Sequence, residues 1–216
     1  MPEGTVLITD HQIAGRGQRG NSWESTAEMN LTFSVFLRPT FLGAQDQFQL
    51  SMAVSLAVAD ALQFALDSPI KLKWPNDIWV NDNKIGGILI ENQLQAASFS
   101  AAIVGIGVNI NQERFSYPKA SSLSLLSGVV HDLNDIFQRL MASLESEYLE
   151  LRAGQGVLQK QRYLSSLYKF NELHRFESNG EDFMGSILDV DQSGRLCIES
   201  QGKTRGFSHQ QVKFLG

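Results

Sequence analysis

The hydrophobic positions along the chain follow two periods, and each period predicts a type of element. Short apolar runs predict β-strands at residues 5–9, 31–37, 70–74, 78–80, 84–91 and 101–110. Between Gln47 and Leu66 the apolar residues recur at helical spacing, and two further helices are predicted at 133–151 and 157–167. Asn81-Asp82-Asn83 is typical of a turn, which joins two strands into a hairpin. The pattern predicts an α+β fold in which a mixed β-sheet packs with helices.

The pattern changes after about His174, where short strands begin to alternate with turns. Strands are predicted at 183–190, 195–199, 204–208 and 212–215. Such a run of short strands predicts a small β-barrel. We therefore expect a main domain at residues 1–173 and a second domain at 174–216.

Composition narrows the class of protein. The chain has 216 residues, is 43% hydrophobic and carries a formal net charge of −5, a globular balance that disfavours nucleic acid as the main partner. The lone Cys197 excludes an intrachain disulfide and suits a reducing compartment. The most apolar stretch, Ser51–Leu66, is interrupted by Asp60 and is too short to span a bilayer. We expect a cytoplasmic protein without a membrane segment or an N-terminal signal peptide.

A glycine-rich motif, Gly15-Arg16-Gly17-Gln18-Arg19-Gly20, lies within the polar segment 12–30. The motif does not open an apolar helix, as a dinucleotide fingerprint would, and no Gly-Lys-Ser/Thr closes it as in a P-loop. Its backbone N–H groups, with Arg16 and Arg19, suit a bound polyanion. A solvated surface turn is the alternative interpretation.

The segment Lys73-Trp74-Pro75-Asn76-Asp77 precedes a second lysine, Lys84, which stands beside Gly86-Gly87. Asp77 and Lys84 lie at opposite ends of the predicted hairpin, so antiparallel pairing could bring both side chains to one edge of a site. A surface ion pair is the alternative.

Glycines also interrupt the apolar strand at 101–110, in the order Gly105-Ile-Gly107-Val-Asn109. Glycines inside a strand indicate the close approach of a ligand or of another backbone. Packing of a helix on the sheet would explain them equally well.

Taken together, these motifs occur in the order Gln12-x-x-Gly-Arg-Gly-x-Arg-Gly-x-x-Trp23, Lys-Trp-Pro-Asn-Asp, Lys-x-x-Gly-Ile-Leu and Gly-x-Gly-x-Asn. This order closely resembles the biotin protein ligase family, over almost the whole chain. The resemblance implies a catalytic domain of the class II synthetase and biotin–lipoate ligase type at 1–173. It also implies an SH3-like C-terminal β-barrel at 174–216.

The resemblance implies a reaction in two steps, with ATP and Mg²⁺ as cofactors. The carboxylate of biotin attacks the α-phosphate of ATP to give biotinyl-5′-AMP, and a lysine of a carrier domain then takes the biotin. The implied carrier is the biotin carboxyl carrier protein domain of acetyl-CoA carboxylase or a related carboxylase. A homodimer is compatible with the sequence.

The same resemblance implies roles for particular residues. Lys84 is expected to bridge the biotin carboxylate and the α-phosphate, while Arg16 and Arg19 add catalytic positive charge. The residues expected around biotin are Gln12, Gly15, Arg16, Gly17, Gln18, Lys84 and Gly87. Those expected around ATP are Arg19, Asn21, Trp23, Asn76, Asp77, Lys84 and Asn109. Trp23 is expected to stack on the adenine, Asp77 to bind Mg²⁺ with Asn76 nearby, and the loops 15–24 and 111–122 to close over the site.

Two departures and two alternatives qualify the resemblance. Family members often have arginine where this chain has Gln18, and their strand with a Ser/Thr-Thr-Asn motif is not found before the segment that starts at Pro2. No helix-turn-helix is found, so we expect no operator binding. A lipoate or octanoate ligase or transferase of the same fold is one alternative, although no Arg-Arg-x-Ser-Gly-Gly-Gly segment occurs and Cys197 is far from the motifs. A truncated, non-catalytic protein that binds biotin or its carrier is the other.

Overall fold

The main sheet has six described strands and carries the motifs other than the glycine-rich one at residues 15–20. The structure, a computed structural model, describes residues 1–95 and 98–215, apart from the side chains of Arg19 and Ser98. The six strands are β1 (Thr5–Thr9), β4 (Asn30–Leu37), β5 (Lys71–Lys73), β6 (Asp77–Val80), β7 (Asn83–Gln95) and β8 (Ser98–Asn109). Their order across the sheet is β1-β4-β8-β7-β6-β5. Two short strands, β2 (Gly15–Arg16) and β3 (Ser22–Trp23), form a separate hairpin.

The strand pairs of the main sheet are antiparallel. The sequence predicted a mixed sheet, whereas these named pairs are antiparallel. Tight turns join β5 to β6 and β6 to β7, and a tight turn joins only antiparallel neighbours. One such turn places Asn81 and Asp82 at φ +46° and +63°, a left-handed conformation that these residue types tolerate. Among the described residues, parallel pairing is confined to isolated bridges such as Lys84 with Ala120.

The described residues also form four helices, which are α1 (Gln47–Gln63), α2 (Leu123–Ser127), α3 (Leu133–Arg152) and α4 (Gly156–Ser166). Helix α1 is buried along most of its length because it packs between the sheet and α3. It ends three residues before the predicted Leu66. The side chain of Gln63 accepts from the N–H of Ile70 and donates to the carbonyl of Leu66, which favours a turn at this point. The α+β fold expected from the sequence is confirmed.

The last strands form a second antiparallel sheet. They are β9 (Leu173–Ser178), β10 (Glu181–Val190), β11 (Leu196–Ser200), β12 (Lys203–Phe207) and β13 (Lys213–Phe214), in the order β12-β11-β10-β9-β13. Strand β9 was not predicted, because its polar and charged residues conceal the apolar alternation. The sheet is consistent with an SH3-like domain, and its pairing among the described residues is open rather than a closed barrel. The domain division at 173 stays a prediction.

The terminal sheet packs against the main domain close to the Lys73–Asp77 motif. The indole N–H of Trp74 donates to the carbonyl of Gly194 over 2.9 Å, and its ring contacts His209 with centroids 6.1 Å apart. These contacts bring the segment 209–214 beside β6. No described helix is both long and apolar enough to cross a membrane.

Candidate active site

A cavity of about 780 Å³ lies over one face of the six-stranded sheet. Its walls come from β1, the glycine-rich segment, the β6–β7 hairpin, β4 and β8, and the terminal segment 209–214. This volume is in the range that holds small-molecule substrates.

Most residues predicted for the site line this cavity. They are Gln12, Arg16, Gly17, Gln18, Asn21, Trp23, Asn76, Asp77, Lys84 and Gly87. Gly15 lines a smaller cavity that shares Arg16, Gly17 and Asn21 with the first. The side chain of Arg19 lies outside the described part of the structure. Asn109 is buried at 3% exposure and is not part of the cavity wall.

Lys84 and Asp77 form an ion pair inside the cavity. The Nζ of Lys84 lies 2.6 Å from Oδ1 of Asp77, and each side chain is about one-quarter exposed (26% and 25%). The β6–β7 hairpin brings them together, because a bulge after Ile78 shifts the register on the Lys84 side. A surface ion pair was the alternative interpretation of the sequence. The structure instead shows a partly buried pair in the wall of the cavity.

The backbone of Lys84 is fixed by the segment 111–122. Its N–H donates to the carbonyl of Lys119 over 2.6 Å, and its own carbonyl accepts from Ser121. Burial and the negative charge of Asp77 together raise the pKa of Tyr117, so this tyrosine also stands near the ion pair. Tyr117 and Lys119 were not predicted from the sequence, since nothing in a polar loop identifies which residues face a site.

The glycine-rich motif folds as the β2–β3 hairpin, closed by a 3-10 turn at Gln18–Gly20. The N–H of Gly17 donates to the carbonyl of Asn21, and Gly20 has a φ of +88°, a conformation that favours glycine. Arg16 is 74% exposed at the cavity mouth, 3.5 Å from Glu91. Such an exposed pair is weak, so the guanidinium remains available to a bound anion.

Trp23 lies on the floor of the cavity, against the glycines of β7 and β8. A Cβ at Gly107 would stand only 2.5 Å from Cε2 of the indole, whereas one at Gly87 would make an ordinary contact of 3.6 Å. Gly107 therefore permits the close approach of Trp23, a side chain from the glycine-rich hairpin. The sequence had suggested a ligand, another backbone or a packed helix instead. The indole Nε1 is buried without a hydrogen-bond partner among the described residues.

Hydrogen bonds join the segment 111–122 to the end of the predicted loop 15–24 and to the residues that follow it. Oε1 of Gln112 accepts from the side chain of Asn30 over 2.5 Å and from the N–H of Thr26 over 2.9 Å. The N–H of Ser116 donates to a carboxylate oxygen of Glu24 over 3.0 Å. The segment 111–122 is thus joined to Glu24 at the end of the predicted loop, to Thr26 and to Asn30 at the start of β4.

Asn109 and Asn76 have structural contacts that the sequence did not reveal. Asn109 donates to the carbonyl of Ser121 over 2.9 Å, so it anchors the segment 111–122 from below. Asn76 donates to the carbonyl of Ile88 over 2.6 Å, and this directs its amide nitrogen away from a ligand. Among the described residues no three His, Cys, Asp or Glu side chains cluster as a metal cage.

A protein-family model, the biotin/lipoate A/B protein ligase family, matches residues 1–109. The biotin--[acetyl-CoA-carboxylase] ligase of Mycobacterium tuberculosis is 34% identical over 206 residues, which are 94% of this chain and 76% of that protein. The bifunctional ligase/repressor BirA of Bacillus spizizenii is 31% identical over 205 residues. That match covers 93% of this chain but only 63% of the repressor, so the chain spans less than two thirds of it.

A solved structure has the same fold. The biotin protein ligase from Aquifex aeolicus, in complex with biotin and ATP, superposes with a TM-score of 0.83 at 24% identity. The superposition covers all of this chain and 91% of that one. The matches to the family model and to the mycobacterial relative both extend over the motifs that build the cavity, and the chain belongs to the biotin/lipoate A/B protein ligase family.

Proposed function

We propose that this protein is an ATP-dependent biotin ligase. It forms biotinyl-5′-AMP and transfers the biotin to a lysine of a biotin carboxyl carrier protein domain of acetyl-CoA carboxylase or a related carboxylase. The observation that carries the proposal is the Lys84–Asp77 pair in the wall of the cavity, with Trp23 on its glycine floor.

The first step must bring a carboxylate to a triphosphate, and the two anions repel each other. Lys84 is the cation placed to reduce this repulsion, because it is only one-quarter exposed and its backbone is fixed on both sides. Its ammonium stabilises the charge that develops where the carboxylate oxygen meets the α-phosphorus. Pyrophosphate then leaves, and Arg16 at the mouth, with Arg19, adds positive charge around the phosphates.

The two substrates are proposed to occupy different parts of the cavity. The end bounded by β1 and the glycine-rich hairpin is proposed to hold biotin, through Gln12, Gly15, Gly17, Gln18 and Gly87. The end bounded by Asn76, Asp77 and the terminal segment is proposed to hold the nucleotide, with Asn21 and Trp23 at the adenine. Asn109 supports this end indirectly, through the segment that it anchors.

The donor set beside Lys84 fits one way of holding Mg²⁺. Magnesium bound to nucleotides is commonly held by one or two carboxylates, with substrate phosphates and water completing its shell. Asp77, with the side-chain oxygen of Asn76, provides such a partial set and no protein cage. When bound there, Mg²⁺ would neutralise phosphate charge.

In the second step the amine of the carrier lysine attacks the acyl carbon of biotinyl-5′-AMP, and AMP leaves with the former acyl oxygen. Water would compete for the same mixed anhydride, so the site must exclude it. The loops 15–24 and 111–122 are the proposed cover.

Two further features belong to the proposal. The edge strand β1 exposes Leu7 and Ile8 (75% and 46%), and an unpaired edge of this kind is where two copies would meet in a homodimer. We also place the protein in the cytoplasm, where ATP is available and a lone cysteine stays reduced.

The proposal is tested by incubating the protein with biotin, ATP, Mg²⁺ and a carrier domain, followed by mass spectrometry of the carrier. A gain of one biotinyl group supports it, and biotin-dependent release of pyrophosphate identifies the first step. A parallel incubation with lipoate or octanoate separates the alternative ligase. Binding of biotin without pyrophosphate release would instead indicate a non-catalytic binding protein and refute the proposal.

A further inference from the structure

Lys73 lies in a cage of three aromatic rings. Its Nζ is 3.6 Å from the centroid of Trp79, 5.1 Å from that of Phe214 and 5.3 Å from that of Tyr168. Each distance is within the range in which a cation is attracted to the face of a ring. We call this group, Lys73 with Trp79, Tyr168 and Phe214, the Lys73 cage.

The cage replaces the usual partners of a lysine. Within the described part of the chain the ammonium forms no hydrogen bond or ion pair, although Asp77 is opposite Lys73 in the sheet. Burial lowers the pKa of Lys73 to about 8, and the negative charge of Asp77 offsets this only in part. The positive charges of Lys119 and Lys84 lower it further. An ammonium in such a place needs compensation, and the ring faces supply it.

The three rings come from separate parts of the fold. Trp79 is in β6, Tyr168 is in the link between α4 and β9, and Phe214 is in β13. The N–H of Tyr168 also donates to the carbonyl of Leu72, beside Lys73. One side chain thus contacts the edge of the main sheet, the link and the terminal sheet.

The cage also adjoins the cavity, because Phe214 is one of its lining residues. Strand β13 pairs only with β9 among the described strands and is two residues long, so it has little ladder pairing to hold it. The segment 209–214 lines the cavity together with Asn76 and Asp77. Whatever fixes Phe214 therefore fixes this wall.

We propose that Lys73 is a positioning residue, whose ammonium holds β13 and the segment 209–214 against the edge of the main sheet at the nucleotide end of the cavity. The kinetic part of this inference rests on the proposed function, whereas the structural part does not. The alternative is that the aliphatic part of Lys73 contributes only packing, in which case an apolar side chain of similar length would hold β13 equally well.

The variants are chosen to separate charge from volume. Lys73→Met keeps the length of the chain and removes the charge, while Lys73→Arg keeps a cation that stacks well on aromatic faces. Lys71→Met is the matched control, since Lys71 is on the same strand and the same face and is also half-buried.

Hydrogen exchange measures directly how firmly β13 is attached. The N–H of Leu215 donates to the carbonyl of Arg175 over 3.0 Å and reports on the attachment of β13. We expect exchange at Leu215 to be at least tenfold faster in Lys73→Met, through local opening. Lys73→Arg and Lys71→Met should stay within threefold of the wild-type rate. Equal rates in the wild type and Lys73→Met would overturn the proposal.

Steady-state kinetics reads the effect on the site. In Lys73→Met the KM for ATP should rise at least fivefold and the KM for biotin less than twofold, with Lys73→Arg restoring most of the difference. Equal increases for both substrates, or no rescue by arginine, would mean a general structural role and overturn the proposal. If the wild type forms no adenylate, the proposed function fails, and the exchange experiment still decides whether the cage exists.

A double-mutant cycle tests the cage through thermal unfolding, which can be measured even in a variant too unstable for kinetics. Tyr168→Leu removes one ring that is not part of the cavity wall, with Tyr168→Phe as the control for its hydroxyl bond to Asp82. If the cage is real, the effects of Lys73→Met and Tyr168→Leu on thermal unfolding are less than additive. Strict additivity would overturn it, even if Lys73→Met proved too unstable for kinetics.

Discussion

Replacing Gly107 by alanine should displace Trp23 while leaving the sheet intact. The new Cβ would stand 2.5 Å from Cε2, 2.7 Å from Cζ2 and 3.0 Å from Nε1 of the indole. Gly107 is in β8, which pairs with β4 on one side and β7 on the other, so its backbone has little freedom to retreat. The indole must therefore move.

The size of the effect follows from these distances. Carbon atoms in favourable contact are about 3.5–4.0 Å apart, so the ring must move by about 1 Å or leave the floor. If Trp23 stacks on the adenine, displacing the indole removes up to the full stacking free energy, about 1–3 kcal/mol. This corresponds to a loss of ATP affinity of roughly five- to 150-fold. Affinity for biotin should fall by less.

Titration calorimetry with ATP and with biotin, on the wild type and two variants, measures this. Gly105→Ala is the matched control, because Gly105 is two residues earlier on the same strand and face, yet its new Cβ would meet Leu89 and Ser34 rather than the indole. In a Trp23→Ala background Gly107→Ala should have no further effect on ATP binding. Wild-type ATP affinity in Gly107→Ala, or an undiminished effect when Trp23 is absent, would refute the reasoning.

Three other predictions follow from the site and from the start of the chain. Lys84→Ala should lower the single-turnover rate of biotinyl-AMP formation at least about 10²-fold, since one preorganised charge is worth about 3 kcal/mol, and a near-normal rate would remove it from the mechanism. Trp23→Ala should weaken ATP binding more than biotin binding in calorimetry, and equal losses would mean that it supports the loop as a whole. Burial would raise the pKa of Glu3, but hydrogen bonds from Tyr148 and from the N–H of Arg38 outweigh it and hold the pKa below its usual 4.5. The ionised carboxylate therefore stabilises the fold above pH 4.5, and this stability is lost as the pH falls through the folded pKa. In Glu3→Gln the free energy of unfolding, measured with urea, should fall less steeply at acid pH than in the wild type. An unchanged pH dependence would contradict this.

The sequence was sufficient for elements whose pattern is local. The hairpin around Asn81 and Asp82 was predicted because apolar strands flank residues that favour left-handed turns. Strand β9 was missed, because its burial depends on the terminal sheet as a whole and its own residues are mostly polar. The end of α1 was misplaced because the side chain of Gln63, rather than a glycine or proline, turns the chain.

For the site, short-range motifs identified the residues and left their arrangement open. The pairing of Asp77 with Lys84 could be anticipated from the hairpin, although its 2.6 Å distance and partial burial could not. The contact between Trp23 and Gly107 joins residues 84 positions apart in the sequence, so no local pattern predicts it. For the same reason the contribution of segment 209–214 to the cavity wall was not anticipated.

The hydrogen bonds that Gln112 accepts limit how the site can open. Oε1 of Gln112, a residue only 2% exposed, accepts from both Asn30 and Thr26, so withdrawing the loop 111–122 alone would leave these donors unpaired. Each such buried group costs about 1–3 kcal/mol until water reaches it. Asn30 is the first residue of β4, and its Oδ1 accepts from the N–H of Ile110, so its bond to Gln112 fixes the start of the segment 111–122 to the sheet. The β2–β3 hairpin is the easier part to displace, because its Trp23 is held against Gly107 by an apolar contact and its Nε1 has no hydrogen-bond partner among the described residues.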